Sequence, residues 1–411
     1  MNRKLYYGWI MTAVAFIFIG LGTYFTIMNF GLFVAPVVSD LGVSVTSFVF
    51  SATVFQFVTA IGASFVGKIV DKKGIRFSAL LGTAILAIGY VILGTAKIMP
   101  IFYLGYGFLG LAAAITGPLL TSAIAARWFV KYRGLVNGII SAGSGFIAMF
   151  AAPIVAKSII GRGYSTTYFL CLIPVIVMLM LAIIFIKNKP EDIGQFPDGV
   201  KSIIEKDNQV KVEMPGLTLS EAIKTSGFWI VTIGFAVYMF ADLSMFQTYN
   251  ANIQSRGFDP ILAAGVVSVF GLSQIPAKII FGFLTDKISI KIATLFGLAC
   301  LVAAALLTTT FTSSTSVSVL YLFAVLFSFG HGCWPPLFMK YIIYTCGAKQ
   351  IGAVYGFGFM VFNLVAMFGP TVTGVMFDVM GTYNGAYSIH AICVVVAFVL
   401  LMFAKKGEFD H

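Results

Sequence analysis

Of the side chains able to carry a charge or a proton inside long apolar stretches, three stand out. Asp242 is the only carboxylate in the middle of such a stretch. Lys278 lies in the next one, with Gln274 one helical turn before it. His331 follows later, in Phe329-Gly-His331-Gly-Cys-Trp334-Pro335-Pro336. At the centre of a bilayer a charge costs about 2.5–3.5 kcal/mol on insertion scales, so it must pair, line a wet cavity or bind something. An ammonium holds a carboxylate, and an imidazole exchanges a proton near neutral pH. If Asp242 and Lys278 lie on consecutive antiparallel helices, they are placed to pair. That pair is either structural, or Lys278 receives an anion while Asp242 serves as proton carrier or counter-ion. His331 either titrates as a proton site or stays a neutral imidazole bonded inside the bundle. Tyr24, Tyr249 and Asn363 put polar tips into apolar surroundings, where each needs a partner. They join Lys278, Gln274 and His331 as candidate substrate contacts. His390 reads as structural, and Lys340 as a side chain that snorkels to a surface.

Composition fixes what must hold these residues. Of 411 residues 59% are hydrophobic and only 10% charged, with mean hydropathy +0.99. Soluble domains carry about 25% charged residues. This excludes a soluble enzyme, a nucleic-acid binder and a secreted disulfide scaffold, and leaves a polytopic membrane protein. The apolar runs are long and do not alternate, so the spans are helices and not barrel strands. The five cysteines lie in apolar stretches without metal-ligand spacing and read as small buried side chains. The first apolar run has no cleavage-site pattern and reads as a span rather than a signal peptide.

Twelve helices are expected, at about 8–39, 45–69, 77–97, 100–128, 134–157, 166–187, 227–254, 261–284, 291–311, 317–345, 351–379 and 384–404. The polar stretch 188–226 reads as a cytosolic linker between six-helix bundles at 1–187 and 227–411. Lys97, Lys157, Arg162 and Arg256 fall on one side of the membrane, and Lys278 and Lys340 fall within spans. The other twenty of the 26 basic residues share the side that holds both termini. That bias predicts cytoplasmic termini and makes the net charge of +11 topological information.

The halves repeat each other. Gly67-Lys-Ile-Val-Asp71-Lys72-Lys-Gly74-Ile-Arg76 follows the second span, and Gly282-Phe-Leu-Thr-Asp286-Lys287-Ile-Ser289-Ile-Lys291 follows the eighth. Gly, Asp, Lys and the final base keep one spacing, with Ser289 where Gly74 stands. A duplicated helical unit is the sequence signature of an alternating-access carrier. Each aspartate is expected to meet a helix N-terminus, Asp71 near Gly352 and Asp286 near Arg133, where unpaired N–H groups favour an anion. The small residues Gly138, Ser141, Ala142, Gly143, Ser144 and Gly145 predict close helix approach, expected between the halves. No Gly-Lys-Ser/Thr loop is present, so ATP-driven transport is not expected.

With this loop the chain resembles the major facilitator superfamily. Other features are similar to its monocarboxylate porter and oxalate–formate antiporter branch. They are Tyr7-Gly8-Trp9, Phe30-Gly-Leu-Phe33…Pro36, Arg127-Trp128-Phe129…Arg133-Gly134, Pro190-Glu191-Asp-Ile-Gly194…Pro197-Asp198-Gly199 and Gly227-Phe228-Trp229. The resemblance covers the whole chain. It implies an all-α fold of two pseudo-symmetric six-helix bundles and transport of small carboxylates through a central cavity. It also implies that the position of Lys278, often arginine in that branch, receives the carboxylate. The ammonium keeps the charge without the bidentate fork. Where the oxalate–formate antiporter has a second cation, this chain has Phe362, which suits a monoanion.

The expectation is therefore a multi-pass carrier of the cell membrane, a prokaryotic inner membrane, moving a lactate-like monocarboxylate with a proton. Its partners are the substrate, protons and the bilayer. No cofactor, metal or nucleic acid is expected, and the monomer is the expected functional form. The alternatives are carboxylate-for-carboxylate exchange without a proton, and a transporter-like sensor that moves nothing.

Overall fold

The computed structural model describes residues 6–129, 132–199, 216–347 and 349–407. Among them there is no β-sheet; the one bridge joins Gly216 to Gly347. In lipid every backbone N–H and C=O must be satisfied within its own segment, which is why apolar runs this long become helices. Among the described residues, eleven segments are long and apolar enough to cross a membrane. One of them, Gly138–Ile184, is 47 residues long and is interrupted at Gly163 (φ 78°), so it holds two spans. The spans are α1 (Tyr7–Leu41), α2 (45–73), α3 (75–95), α4 (99–128), α5 (133–162), α6 (164–184), α7 (Ser226–Ser255), α8 (Pro260–Lys287), α9 (Ile290–Thr309), α10 (Val317–Cys346), α11 (Ile351–Met380) and α12 (Asn384–Met402).

Two compact units form. The first is Met1–Leu41 with Val54–Lys211, and the second Gly42–Thr53 with Val212–His411. The second unit thus takes in the start of α2, which a division of the chain by halves does not anticipate. There Asp378 of α11 accepts from the N–H groups of Val45 (3.0 Å) and Thr46 (2.9 Å) and from the Thr46 hydroxyl. A carboxylate at a helix N-terminus satisfies orphan donors and the positive end of the dipole. Thr53 adds a bond to the Met367 carbonyl at 2.7 Å.

In the first unit α1 lies against α5. A Cβ on Gly143 would stand 2.1 Å from the Phe16 carbonyl oxygen, so only glycine permits the approach. For Gly143 of the small-residue stripe, the partner is therefore α1 of its own unit rather than the other half. The second unit repeats the contact between α7 and α11, where a Cβ on Gly369 would lie 2.4 Å from the Phe240 carbonyl oxygen.

The final base of each motif copy also has one job in both units. Arg76, at the start of α3, donates to the Ile183 carbonyl at the end of α6 (2.6 Å). Lys291, at the start of α9, donates to the Met402 carbonyl at the end of α12 (2.9 Å). Each satisfies an orphan carbonyl at a negative dipole end. Gly74 takes φ 87°, which L side chains rarely adopt, and a Cβ there would meet Asn188 Oδ1 at 2.4 Å. Ser289 has φ −55°, open to any residue, so the second copy tolerates serine.

The aromatic motifs of the first unit meet at one end. The Tyr6 hydroxyl donates to the Trp128 carbonyl, Trp9 packs edge-on to Phe129 at 5.2 Å, and Gln195 accepts from the Tyr7 N–H at 3.0 Å. They tie the start of α1 to the end of α4 and to the linker.

Candidate functional site

α10 is broken at Cys333, between Val317–Gly332 and Trp334–Cys346. Pro335 and Pro336 lack the N–H groups that would continue the ladder, as the double proline predicts. The break leaves acceptors to satisfy, and the buried Tyr238 hydroxyl of α7 donates to the Gly330 carbonyl. His331 therefore sits at the end of a helical segment, with its ring free to face α7.

There it meets Asp242. His331 Nδ1 lies 2.7 Å from Asp242 Oδ2. With the carboxylate ionised, Nδ1 carries the hydrogen and Nε2 is left to accept or take a proton. Asp242 is fully buried, the His331 side chain is 18% exposed, and Asp242 Oδ1 has no partner among the described residues. Phe246 stacks on the imidazole at 5.2 Å, and Phe270 and Phe327 close around it. Asp242 pairs with the histidine of α10, not with the lysine of α8.

Lys278 is consequently left over. It is partly buried, and among the described residues no hydrogen bond or ion pair reaches its ammonium. Gln274, one turn earlier on the same face, is buried, and its amide likewise has no hydrogen-bond partner among the described residues. Gly332 sets their level: a Cβ there would lie 3.0 Å from Ala277 Cβ and 3.6 Å from Lys278 N. α8 therefore passes α10 at Lys278, one residue beyond His331. The backbone of Lys278 and the carboxylate–imidazole pair thus stand at the same level of one unit, and among the described residues nothing bonds the Lys278 ammonium.

Other expected contacts divide. Tyr249 joins the cluster through Phe270 (5.7 Å) and Phe327 (5.6 Å). Asn363 spends its amide on the Phe359 carbonyl of its own helix at 2.8 Å. Phe362 is buried against Phe338 and Phe359, an apolar setting. His390 is buried and bonds Thr373 at 2.8 Å, as a structural histidine does. Tyr24 belongs to the first unit, buried edge-on to Phe25. Of the motif residues, Lys72 and Lys287 are exposed, and a Cβ on Gly282 would meet nothing within 4 Å. Gly67 lies within α2 with its surroundings undescribed, and the side chains of Asp71 and Asp286 lie outside the described residues. So does the Arg133 side chain, at the helix start expected to face Asp286.

Three features were not read from the sequence. Residues Tyr24–Met28 form a π-helical turn inside α1, a local rearrangement frequent at functional sites. Tyr90 secures it, donating to the Phe25 carbonyl and accepting from Asn29 Nδ2. No pattern of residue types marks such a turn. Tyr106 and Tyr168 share a hydroxyl–hydroxyl bond of 3.0 Å beside it. Gln247 on α7 is fully buried, and neither amide atom has a partner among the described residues; a polar residue five positions past Asp242 was the available signal.

Comparison with known proteins agrees with this architecture. The family model described as Major Facilitator Superfamily matches residues 12–370 and, in a second match, 266–409. The oxalate:formate antiporter of Oxalobacter formigenes is 27% identical over 379 residues, covering 90% of this chain and 85% of that protein. Monocarboxylate transporter 2 of Mus musculus is 22% identical, covering 96% and 83%. Among solved structures, a D-xylose-proton symporter superposes with a TM-score of 0.71 at 15% identity, covering 97% of this chain and 98% of that one.

Proposed function

The chain belongs to the major facilitator superfamily of membrane transporters, and we propose that it carries a small organic monocarboxylate together with a proton. The observation that carries this reading is Lys278, whose ammonium has no partner among the described residues and whose backbone passes α10 beside His331 of the Asp242–His331 pair. An uncompensated cation at membrane depth is costly unless an anion joins it. A carboxylate supplies that anion and places one negative charge beside the pair. His331 Nε2, not used in the bond to Asp242, is the open ring nitrogen where the accompanying proton would sit. Substrate and proton enter as a neutral sum, which reorients at less cost than a net charge. The buried amides of Gln274 and Gln247 offer donors to the rest of the substrate. Phe362 in its apolar setting favours one carboxylate over two.

Exchange of one carboxylate for another is the second reading. The named activity of the Oxalobacter formigenes relative favours it. Purified protein in liposomes separates the readings. Under symport, an inward pH gradient drives net lactate accumulation. Asp242→Asn abolishes this while preloaded liposomes still exchange substrate. Accumulation in Asp242→Asn at the wild-type rate contradicts the coupling. Exchange without pH-driven accumulation in the wild type favours the antiporter. Neither activity, against any small carboxylate, points to a sensor.

A further inference from the structure

One turn of α7 reaches the broken end of α10 at two points. Asp242 bonds the side chain of His331. Tyr238, four residues earlier on the same face of α7, bonds the backbone of Gly330, the residue just before that histidine. Tyr238 is fully buried, and its ring packs on Phe235 at 6.1 Å.

The carbonyls that end a helical segment lack donors from their own helix, and Pro335 and Pro336 remove two N–H groups that would have followed. The Gly330 carbonyl accepts from the Tyr238 hydroxyl and, at 3.0 Å, from the Cys333 thiol. A thiol is a weak donor, so the tyrosine carries the attachment. The two glycines that flank His331 seat it from other sides. A Cβ on Gly330 would stand 2.7 Å from Leu301 Cβ and 2.9 Å from Leu301 N of α9. One on Gly332 would stand 3.0 Å from Ala277 Cβ of α8. The Gly330-His331-Gly332 backbone is thus pressed against α8 and α9 and tied to α7 by the Tyr238 hydroxyl. An imidazole does not choose its own orientation: which nitrogen carries the hydrogen is set by what each one bonds. A backbone fixed at this point makes that choice.

We propose that Tyr238 is a positioning residue for His331: its hydroxyl, through the Gly330 carbonyl, holds the imidazole with Nδ1–H on Asp242 and Nε2 open. That Nε2 then takes the transported proton rests on the function proposed above; the position of the ring does not.

The chain has three histidines, so the full-length protein in detergent, labelled with ring nitrogen-15 histidine, gives three pairs of nuclear magnetic resonance signals. The His331 pair is the one kept in both His390→Gln and His411→Gln. At mildly alkaline pH the wild type should show Nδ1 as N–H and Nε2 bare. Losing one buried hydrogen bond in Tyr238→Phe should lower the ratio of Nδ1–H to Nε2–H tautomer by roughly 2- to 12-fold, which moves the two signals toward each other. Tyr387→Phe also deletes a buried tyrosine hydroxyl bonded to α7, at Thr248 (3.1 Å), and should leave the His331 pair in place. An unchanged pair in folded Tyr238→Phe, or an equal change in Tyr387→Phe, overturns the proposal, because a merely structural hydroxyl behaves that way. A wild-type ring with its hydrogen on Nε2 alone overturns it as well. If Tyr238→Phe fails to fold, Cys333→Ala removes the weaker donor to the same carbonyl and should shift the pair in the same direction by less; no shift there counts against the proposal. Lactate uptake into liposomes separates this from the transport reading. A displaced ring with pH-driven accumulation intact in Tyr238→Phe supports the positioning and refutes His331 as the proton site.

Discussion

Replacing His331 with leucine removes the hydrogen-bond partner of a carboxylate that is otherwise sealed. Asp242 is fully buried, its Oδ1 has no partner among the described residues, and its Oδ2 bond to His331 Nδ1 is 2.7 Å long. Breaking a buried pair from one side costs about 3–5 kcal/mol, because the remaining charge keeps its desolvation penalty without its partner. Replacing both partners with apolar groups of similar size is close to neutral. His331→Leu should therefore be markedly less stable than wild type. Asp242→Leu/His331→Leu should recover most of the loss, giving a coupling of at least about 2 kcal/mol across the cycle. The assay is equilibrium denaturant unfolding in mixed micelles of the wild type, both single variants and the double. If the single losses sum to the double within about 0.5 kcal/mol, the two residues act independently and the paired site is wrong.

Two further predictions concern the scaffold. Gly143→Ala puts a Cβ 2.1 Å from the Phe16 carbonyl oxygen, a backbone atom, so α1 and α5 must part; the expected cost is about 1–3 kcal/mol. Gly138→Ala, where a Cβ meets nothing within 4 Å, should be neutral or stabilise by up to about 1 kcal/mol; equal midpoints for the two variants contradict the packing. Asp378→Ala removes the cap on Val45 and Thr46 and should destabilise the start of α2 by about 0.5–2 kcal/mol. Hydrogen exchange should quicken at those two amides and stay unchanged at Leu86 in α3; unchanged exchange at Val45 and Thr46 counts against the cap.

The spans were legible because bilayer thickness forces apolar runs of fixed length, and the repeat because two loops keep one spacing. The residues of the site were legible because charge is scarce at membrane depth. Their pairing was not. Adjacency in sequence put Asp242 with Lys278 on the next helix, whereas packing brings His331 from α10, whose proline break turns its ring toward α7. The partner of Gly143 was misplaced for a similar reason: a small-residue stripe announces contact but carries no address. The substitution of Ser289 for Gly74 reads as degeneracy in the sequence. In the structure it follows from φ −55° against φ 87°. The π-turn at Tyr24–Met28 leaves no signature in residue types, since it is set by Tyr90 across the bundle.

The central claim is that Lys278 stands unpaired because a substrate carboxylate completes it. Direct binding of radiolabelled lactate, or of the monocarboxylate found to stabilise the purified protein most, tests this in wild type, Lys278→Gln and Lys278→Arg. Losing a charge-assisted hydrogen bond of about 1.5–3 kcal/mol should weaken binding by roughly 10- to 150-fold in Lys278→Gln, while Lys278→Arg retains part of the affinity. Without substrate the unfolding midpoint should not fall in either variant, and should hold or rise in Lys278→Gln, because no partner among the described residues is lost and a costly charge is removed. Unchanged affinity in a folded Lys278→Gln protein would contradict the account.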